Sequence, residues 1–175
     1  MPAEAAADRN ASHKEGENTD GSQGPVARFP GDHDFLSNFY PASVRLDGME
    51  YRNAEAAFQA YKCISQEDRR PFTGMAANMA KRFGRRVAPR SDWEQVKLDV
   101  MRRVVRAKFE QHPDLAQRLL DTEDAELAEG NGWHDVDWGV DVRTGRGANH
   151  LGGILMDLRR EFWQNGLPAA DGSGD

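Results

Sequence analysis

The residues EYRNAEAAFQAYK, positions 50–62, contain the helix around which the fold is predicted to form. Asn53 belongs to the residue types that cap helix N-termini, and it predicts a helix that runs to about Ile64. Steps of three and four residues return to the same face of a helix. One side of this helix carries Ala54, Ala57, Tyr61 and Ile64, and another side carries Glu55, Gln59 and Lys62.

The polar stripe of Glu55, Gln59 and Lys62 has two interpretations. It is a solvated helix face if the helix lies at the surface. Its neighbours, however, are Ala56 and Phe58 rather than further charges, and a helix that is apolar on nearly all other sides is usually buried. In the second interpretation the stripe opens into a cavity, where its acidic and basic side chains are candidates for catalysis.

The residues before this stretch predict strands. Val44–Leu46 and Met49–Tyr51 flank Asp47 and Gly48, so apolar residues alternate with polar ones around a turn that tolerates positive φ. This pattern is the strongest short signal for a β-hairpin. Further upstream, residues 25–30 predict a short strand through Val26, Arg28 and Phe29.

Two helices are predicted after the stretch. Thr73 is expected to cap the first, which should end at Gly84, a typical stop residue. Ser91 and Glu94 form a capping-box pattern that begins the second and longest helix, and His112-Pro113 ends it. The apolar seam of the long helix is Trp93, Val96, Val100, Val104 and Lys108.

The remaining residues predict a mixture of helices and short strands. A short helix is expected over residues 114–120, and short strands over residues 126–129 and 136–140. The last helix should begin near Asn149, because Leu151, Ile154, Leu155, Leu158 and Phe162 recur at helical spacing. The sum is an α+β fold, a helix-rich single domain over residues 25–165 with a small antiparallel sheet.

The composition indicates which terminal segments are disordered and in which compartment the protein is expected. Residues 1–24 lack Leu, Ile, Val, Phe and Trp, so they cannot bury enough apolar surface to offset their ordering entropy, and we expect a disordered tail. Residues 166–175 predict a second flexible tail. A net charge of −6 disfavours non-specific nucleic-acid binding by the whole surface. Neither a membrane span nor a signal-peptide core is present in the sequence, which favours the cytoplasm.

Metal and thiol chemistry find little support in the sequence. The five histidines, at positions 13, 33, 112, 134 and 150, show no paired zinc spacing. Cys63 is the single cysteine, and a lone cysteine usually behaves as a small hydrophobic residue. We therefore predict no metal site and no organic cofactor.

Two other segments are candidates for ligand binding. Residues 144–149 precede the last helix, where glycines and free N–H groups suit an anion, although a flexible turn explains them equally well. Asp135, Asp137 and Trp138 lie where helical periodicity breaks, and a loop aromatic suits a planar base. Lys81 and Arg85 either bind an anion or complement the end of their helix.

Taken together, these stretches resemble the NADAR, or YbiA-like, family. The resemblance covers nearly the whole predicted domain, in order. The sequence departs from the family pattern between Asn131 and Asp135. The matching motifs are residues 35–41, residues 50–62, Ala80-Lys81 with Gly84-Arg85, Trp93, residues 100–109, Asp137-Trp138-Gly139, residues 145–152 and Ile154-Leu155-Met156.

The resemblance implies a helix-rich fold with a few strands and N-glycosidase activity. The substrates it implies are phosphoribosylated pyrimidine intermediates of riboflavin synthesis or ADP-ribose attached to guanine, including ADP-ribosylated nucleic acid. Glu55 and Lys62 would be catalytic. The residues expected to bind substrate are Asn38, Phe39, Gln59, Lys81, Arg85, Trp93, Asp137, Trp138, Gly145, Gly147 and Asn149.

Some alternatives stay open at this level. Glu55 is the candidate to stabilise an oxocarbenium-like ribose carbon and to activate water. Lys62 either orients phosphate or hydroxyl groups or attacks an opened sugar as a Schiff base. The competing class of function is a module that binds ADP-ribose or NAD without turnover. The sequence makes no prediction of the oligomeric state.

Overall fold

The computed structural model describes residues 26–27, 31–131 and 135–167. The predicted N-terminal tail and residues 168–175 lie outside the described residues. The α-helices are α1 (Ala54–Ala60), α2 (Gln66–Arg69), α3 (Ala77–Gly84), α4 (Trp93–Gln111), α5 (Pro113–Leu120) and α6 (His150–Asn165). The strands are β1 (Val26–Ala27), β2 (Val44–Leu46), β3 (Met49–Tyr51), β4 (Leu127–Ala128), β5 (Gly130–Asn131) and β6 (Val140–Asp141), and 3-10 helices span Gly31–Leu36 and Arg70–Gly74.

The predicted hairpin is confirmed. Strands β2 and β3 pair antiparallel, with Val44 opposite Tyr51. Asp47 and Gly48 between them both have positive φ, 48° and 79°, as the tight turns that match strand twist require. The side chains of Val44 and Tyr51 are fully buried, so the hairpin fixes the direction from which the chain enters α1.

The helix that decides the fold has the predicted cap but is shorter than predicted. Asn53 Oδ1 accepts the N–H of Ala56 at 2.8 Å, so the cap is confirmed. The helix ends at Ala60, because the next turn tightens: the N–H of Lys62 donates to the Gln59 carbonyl. The expectation that Ile64 continues the helix is therefore wrong, and its side chain is 70% exposed.

Two of the predicted helix starts are wrong in detail. Thr73 lies inside a 3-10 helix, and α3 begins four residues later with no side-chain cap. At the start of α4 the N-cap position is Asp92 rather than Ser91. The Asp92 side chain does not cap the helix, because its carboxylate accepts two hydrogen bonds from Arg90 instead. The predicted end of α4 is confirmed, since Pro113 is already the first residue of α5.

The strands form three two-stranded pairs within the described residues. Beside the antiparallel hairpin, β1 pairs parallel with β4, and β5 pairs parallel with β6. The strand predicted over residues 136–140 is instead a turn followed by β6. The fold class is confirmed as helix-rich α+β with a small antiparallel sheet, and the parallel pairs are additions that the sequence did not predict.

Helix α1 lies at the centre of this arrangement. All seven of its residues are buried, and it packs against α3, α4 and the 3-10 helix at Arg70–Gly74. Helix α6 packs against α4, α5 and β4. Because α1 is enclosed in this way, its polar residues must face a cavity or be paired inside the protein.

Candidate active site

A cavity of about 250 Å³ opens beside α1. It is enclosed by the segment after the first 3-10 helix, by α1, α3 and α4, and by the residues around β5. Its polar and charged side chains outnumber its apolar ones, which is typical of a site for a polar ligand. The lining residues are Asn38, Phe39, Glu55, Phe58, Gln59, Lys62, Lys81, Arg85, Trp93, Glu94, Lys97, Met101, Glu129, Asp135 and Trp138.

Glu55 is a buried carboxyl in the first turn of α1. It is 6% exposed, and its Oε1 accepts a hydrogen bond from Gln59 Nε2 at 2.9 Å. Its backbone N–H donates to the Asn38 carbonyl at 3.0 Å, which ties the helix to the neighbouring loop. Burial raises the pKa of Glu55, while Lys81, the Gln59 hydrogen bond and Lys62 act in the opposite direction.

Lys62 lines the same cavity from the turn after α1. Its Nζ donates to the Gly84 carbonyl at 3.0 Å and lies 6.0 Å from the centre of the Trp93 ring. Burial lowers the pKa of Lys62, and the charge of Glu55 opposes that change. The two residues therefore share one cavity, although Lys62 lies beyond the end of the helix that carries Glu55.

Two buried amide oxygens in the cavity wall have no hydrogen-bond donor. Asn38 Oδ1 and Gln59 Oε1 lie in side chains that are 5% and 6% exposed, and neither has a partner among the residues that the structure describes. Their amide nitrogens are engaged, with Met101 Sδ for Asn38 and with Glu55 for Gln59. A buried acceptor without a donor costs about 1–3 kcal/mol, so this part of the wall lowers the stability of the ligand-free protein.

Aromatic rings form another part of the wall. Phe58 packs on Trp93 with ring centres 5.2 Å apart and on Trp138 at 5.1 Å in an edge-to-face arrangement. Phe39 is 44% exposed at the rim, and Lys81 Nζ lies 5.5 Å from its ring centre. These rings offer flat apolar surface for a heterocyclic base.

Cations line the cavity as well. Lys81 and Arg85 come from α3 and its C-cap, and neither forms an ion pair with any residue between positions 31 and 131 or 135 and 167. Lys97, from α4, is paired with Glu94 and with Asp137, both at 2.9 Å. Lys81 and Arg85, like Lys62, are thus cavity cations without an ion pair among the described residues, and their charge is open to an anionic ligand.

Glu129 and Lys97 line the cavity but were not predicted as site residues, whereas Asp135, a candidate from the sequence, lines it as well. Glu129 follows β4 and precedes β5, and burial raises its pKa to about 7, helped by Asp135 and opposed by Lys81. Asp135 Oδ1 accepts the N–H of Trp138, so it shapes the turn that presents this ring. The one available signal was the break in periodicity around these residues, which does not say which side chains face inward.

Asp137 lies just outside the lining. One of its carboxylate oxygens binds Lys97 at 2.9 Å and the other lies 3.6 Å from His150 Nε2. Of the two aspartates that the sequence offered as candidates, Asp135 lines the cavity and Asp137, which the family resemblance placed in the wall, does not. Asp137 acts on the cavity through the position of Lys97.

Residues 145–149 do not reach the cavity lining. The first N–H groups of α6, which were expected to bind an anion, donate to backbone carbonyls instead: His150 to Asp137 and Leu151 to Trp138. Gly147 has φ of 158°, and a Cβ built there would lie 2.1 Å from the Gly139 carbonyl oxygen. The glycine therefore allows two backbone segments to pack closely, and this end of the helix has no open donor at these positions.

Asn149 also has a structural role. Its Nδ2 donates to the Leu127 carbonyl at 2.9 Å, and its Oδ1 accepts the N–H of Glu129 at 3.2 Å. It has left-handed backbone geometry and does not cap α6 with its side chain. Asn149 thus holds the strand that leads to Glu129, and its effect on the cavity is indirect.

No metal centre is visible in the described part of the chain, where no group of three or more His, Cys, Asp or Glu side chains could hold an ion. Over the same residues, none of the helices combines the length and the apolar character that a membrane span requires. The burial of Cys63 raises the pKa of its thiol, which disfavours a reactive thiolate.

Comparison with known proteins identifies the relatives of this fold and cavity. A model of the NADAR domain matches residues 27–163. The N-glycosidase YbiA of Escherichia coli is 41% identical over 134 residues, which cover 75% of this chain and 82% of that protein. A riboflavin biosynthesis protein of Vibrio vulnificus is 38% identical over 136 residues, which cover 76% of this chain but only 36% of that protein.

The same relationship holds in three dimensions. The NMR structure of the Escherichia coli protein YbiA superimposes with a TM-score of 0.72 at 35% sequence identity, covering 86% of this chain and 90% of that one. The family resemblance of the sequence motifs is thereby confirmed. With a family model that matches most of its length, this chain belongs to the NADAR domain family.

Proposed function

We propose that the protein is an N-glycosidase that hydrolyses the bond between a ribose phosphate and a nitrogen base. The observation that carries the proposal is the buried Glu55 carboxyl, which shares one cavity with the Lys62 amine, unpaired cations and an aromatic wall. The relatives named N-glycosidase support this class of reaction. Each part of the cavity fits one part of such a substrate.

The sugar phosphate fits the cationic side. Lys81 and Arg85 offer charge that no described carboxylate neutralises through an ion pair, and charge-assisted hydrogen bonds to phosphate are among the stronger polar contacts. The polar side chains of Asn38 and Gln59 line the cavity beside these cations, where the ribose would lie. Phosphate and hydroxyl contacts together hold the ribose against α1.

The base fits the aromatic side. Trp138 and Trp93 meet across Phe58, and a flat heterocycle can stack on either indole. A cavity of about 250 Å³ lies just below the range of about 300–1,000 Å³ that encloses drug-sized ligands. The substrates that this arrangement suits are a ribosylated base with a single phosphate, such as a pyrimidine intermediate of riboflavin synthesis, or an ADP-ribosylated guanine.

Bond cleavage fits Glu55 and Lys62. Breaking the glycosidic bond develops positive charge on the ribose carbon, and a nearby carboxylate stabilises that charge and accepts a proton from water. Lys62 either holds the phosphate or hydroxyl groups or attacks an opened sugar as an amine, a role that the lowering of its pKa by burial favours.

The experiment is a turnover assay on a panel of candidate substrates. The purified protein would be incubated with phosphoribosylated pyrimidine intermediates of riboflavin synthesis, ADP-ribosyl-guanosine, an ADP-ribosylated oligonucleotide and NAD, and the released base would be measured by mass spectrometry. Release from a riboside monophosphate, abolished in Glu55→Gln, supports the proposal. Tight binding of ADP-ribose or NAD with no released base from any compound would instead assign the protein to the class of non-catalytic sensors.

A further inference from the structure

The cavity contains a second carboxyl that the Glu55 and Lys62 assignment does not use. Glu129 reaches the cavity from the segment between β4 and β5, whereas Glu55 reaches it from α1. We propose that Glu129 is the general acid of the reaction and gives its proton to the nitrogen of the departing base. This inference rests on the proposed N-glycosidase function and adds a residue to it.

The backbone at Glu129 is held on both sides. Its N–H donates to Asn149 Oδ1 at 3.2 Å, and its carbonyl accepts the N–H of Val140 at 2.8 Å. Gly152 makes this clamp possible, because a Cβ at that position would lie 2.1 Å from the Leu127 carbonyl oxygen and 2.5 Å from Asn149 Nδ2. A side chain on such a fixed backbone is suited to proton transfer, which requires a hydrogen-bonding position.

Glu55 and Glu129 have different surroundings, and the difference indicates which carboxyl holds the proton. Burial raises the pKa of both carboxyls, but their hydrogen-bond partners differ. Gln59 Nε2 donates a hydrogen bond to Glu55 at 2.9 Å, whereas Glu129 receives no side-chain hydrogen bond from the residues that the structure describes and faces the carboxylates of Asp135 and Glu55. A fixed donor stabilises the ionised form of Glu55 only, and this asymmetry gives Glu55 the role of base and Glu129 the role of acid.

The proposed step balances. The bond between the ribose carbon and the base nitrogen breaks, its electron pair goes to the nitrogen, and the proton of Glu129 follows it. Water adds its oxygen to the ribose carbon and loses one proton to Glu55. The free base and the sugar phosphate leave, and transfer of that proton from Glu55 through water to Glu129 restores the starting state.

The direct test compares two leaving groups in Glu129→Gln. One substrate carries a nitrogen base that must be protonated to leave, and the other is the 4-nitrophenyl riboside 5-phosphate, whose phenolate leaves without a proton. We expect kcat for the nitrogen base to fall by at least about a hundredfold and kcat for the nitrophenyl compound to change only a few-fold. Glu126→Gln, at an exposed position just before β4, is the matched control and should resemble the unmodified protein on both.

A second measurement does not depend on turnover. Glutamate side-chain carbons of the full protein would be followed by NMR as a function of pH, with the Glu129 signal assigned by its loss in Glu129→Gln. A pKa near neutral supports the proposal, and a pKa near 4.5 overturns it. Equal loss of kcat on both leaving groups, or no loss on either, also overturns it, whereas a protein that releases no base from any riboside contradicts the proposed function itself.

Discussion

The amide of Gln59 lies directly against Gly84: a Cβ atom at Gly84 would lie 2.0 Å from Gln59 Oε1. The other end of the same amide donates to Glu55, and the Gly84 carbonyl accepts from Lys62. One glycine at the end of α3 therefore positions both proposed catalytic residues. The sequence predicted Gly84 as a helix stop, and α3 does end there, but close packing is the stronger reason for a glycine.

Gly84→Ala should lower kcat substantially because the new methyl group displaces the Gln59 amide and removes its hydrogen bond to Glu55. We expect a loss of roughly tenfold or more, since hydrogen bonds to charged groups contribute about 1.5–3 kcal/mol. Gly153→Ala is the control, because that position lies in α6 with open space around it; it should keep full activity and gain slightly in stability. Equal activity of the two variants would show that the Gln59 contact does not matter for turnover.

Lys81→Ala and Arg85→Ala should each weaken binding of a phosphorylated riboside much more than binding of its dephosphorylated form. A lost charge-assisted contact to phosphate corresponds to about tenfold in KM or more. Arg86→Ala removes an exposed charge that does not line the cavity, and it should leave the KM ratio of the two substrates unchanged. The same KM change for both substrates in the Lys81 and Arg85 variants would place the phosphate elsewhere.

Gly147→Ala should destabilise the fold without changing recognition of phosphate. The alanine would need the backbone φ of 158° and would collide with the Gly139 carbonyl. Gly145→Ala is a useful comparison, because Gly145 also has positive φ, 65°, but has open space around it, so its cost should be limited to about 1–2 kcal/mol of backbone strain. Thermal denaturation should show the larger loss at Gly147, and a selective rise of KM for the phosphorylated substrate would restore the phosphate-loop interpretation.

Lys108→Met should lower stability, and the deficit should grow with pH. Lys108 Nζ donates to the carbonyls of Phe35 at 2.5 Å and Ser37 at 2.8 Å, and burial lowers its pKa from 10.5 to about 7. Between pH 7 and pH 10.5, Lys108 carries a proton in the unfolded chain but not in the folded protein. The contribution of Lys108 to the free energy of unfolding therefore increases as pH rises through this range and decreases as pH falls. Unfolding of both proteins by denaturant between pH 7 and 10 measures the difference, with Arg102→Met, exposed on the same helix, as the control.

A difference between the native and Lys108→Met proteins that stays constant across this range would contradict the lowered pKa. The variant should also raise KM, because Lys108 holds the turn that leads to Asn38. A buried lysine on an apolar seam could be identified from the sequence, but its two carbonyl partners are more than seventy positions away in the chain. That contact is set by tertiary packing alone.

Local signals explain what the sequence predicted well. The Asp47-Gly48 turn and the Asn53 cap depend on neighbours within a few residues, and both are confirmed. The caps at Thr73 and Ser91 are wrong because a residue type that can cap a helix does so only if the surrounding chain leaves it free; at the start of α4 the neighbouring Asp92 takes the N-cap position.

Glu129 shows why the rest of the site was not predicted. Its inward position depends on the parallel pairing of β4 with β1. Each of these strands is two residues long, and they lie about a hundred positions apart in the sequence. So short a strand has no alternation from which a buried face could be identified. The Gly-rich segment before α6 was expected to bind an anion, but it does not line the cavity. Glycines that permit close packing and glycines that bind phosphate look the same in a sequence.

Turnover of a verified substrate by Glu55→Gln, Lys62→Ala and the double variant shows whether Glu55 and Lys62 act together in one cavity. We predict that Glu55→Gln lowers kcat by at least about a hundredfold, that Lys62→Ala is also severe, and that the double variant is little worse than the poorer single one, since groups that act as a unit are strongly non-additive. Near-native turnover in both single variants would contradict the account, and the polar residues of α1 would then be only a buried structural pair.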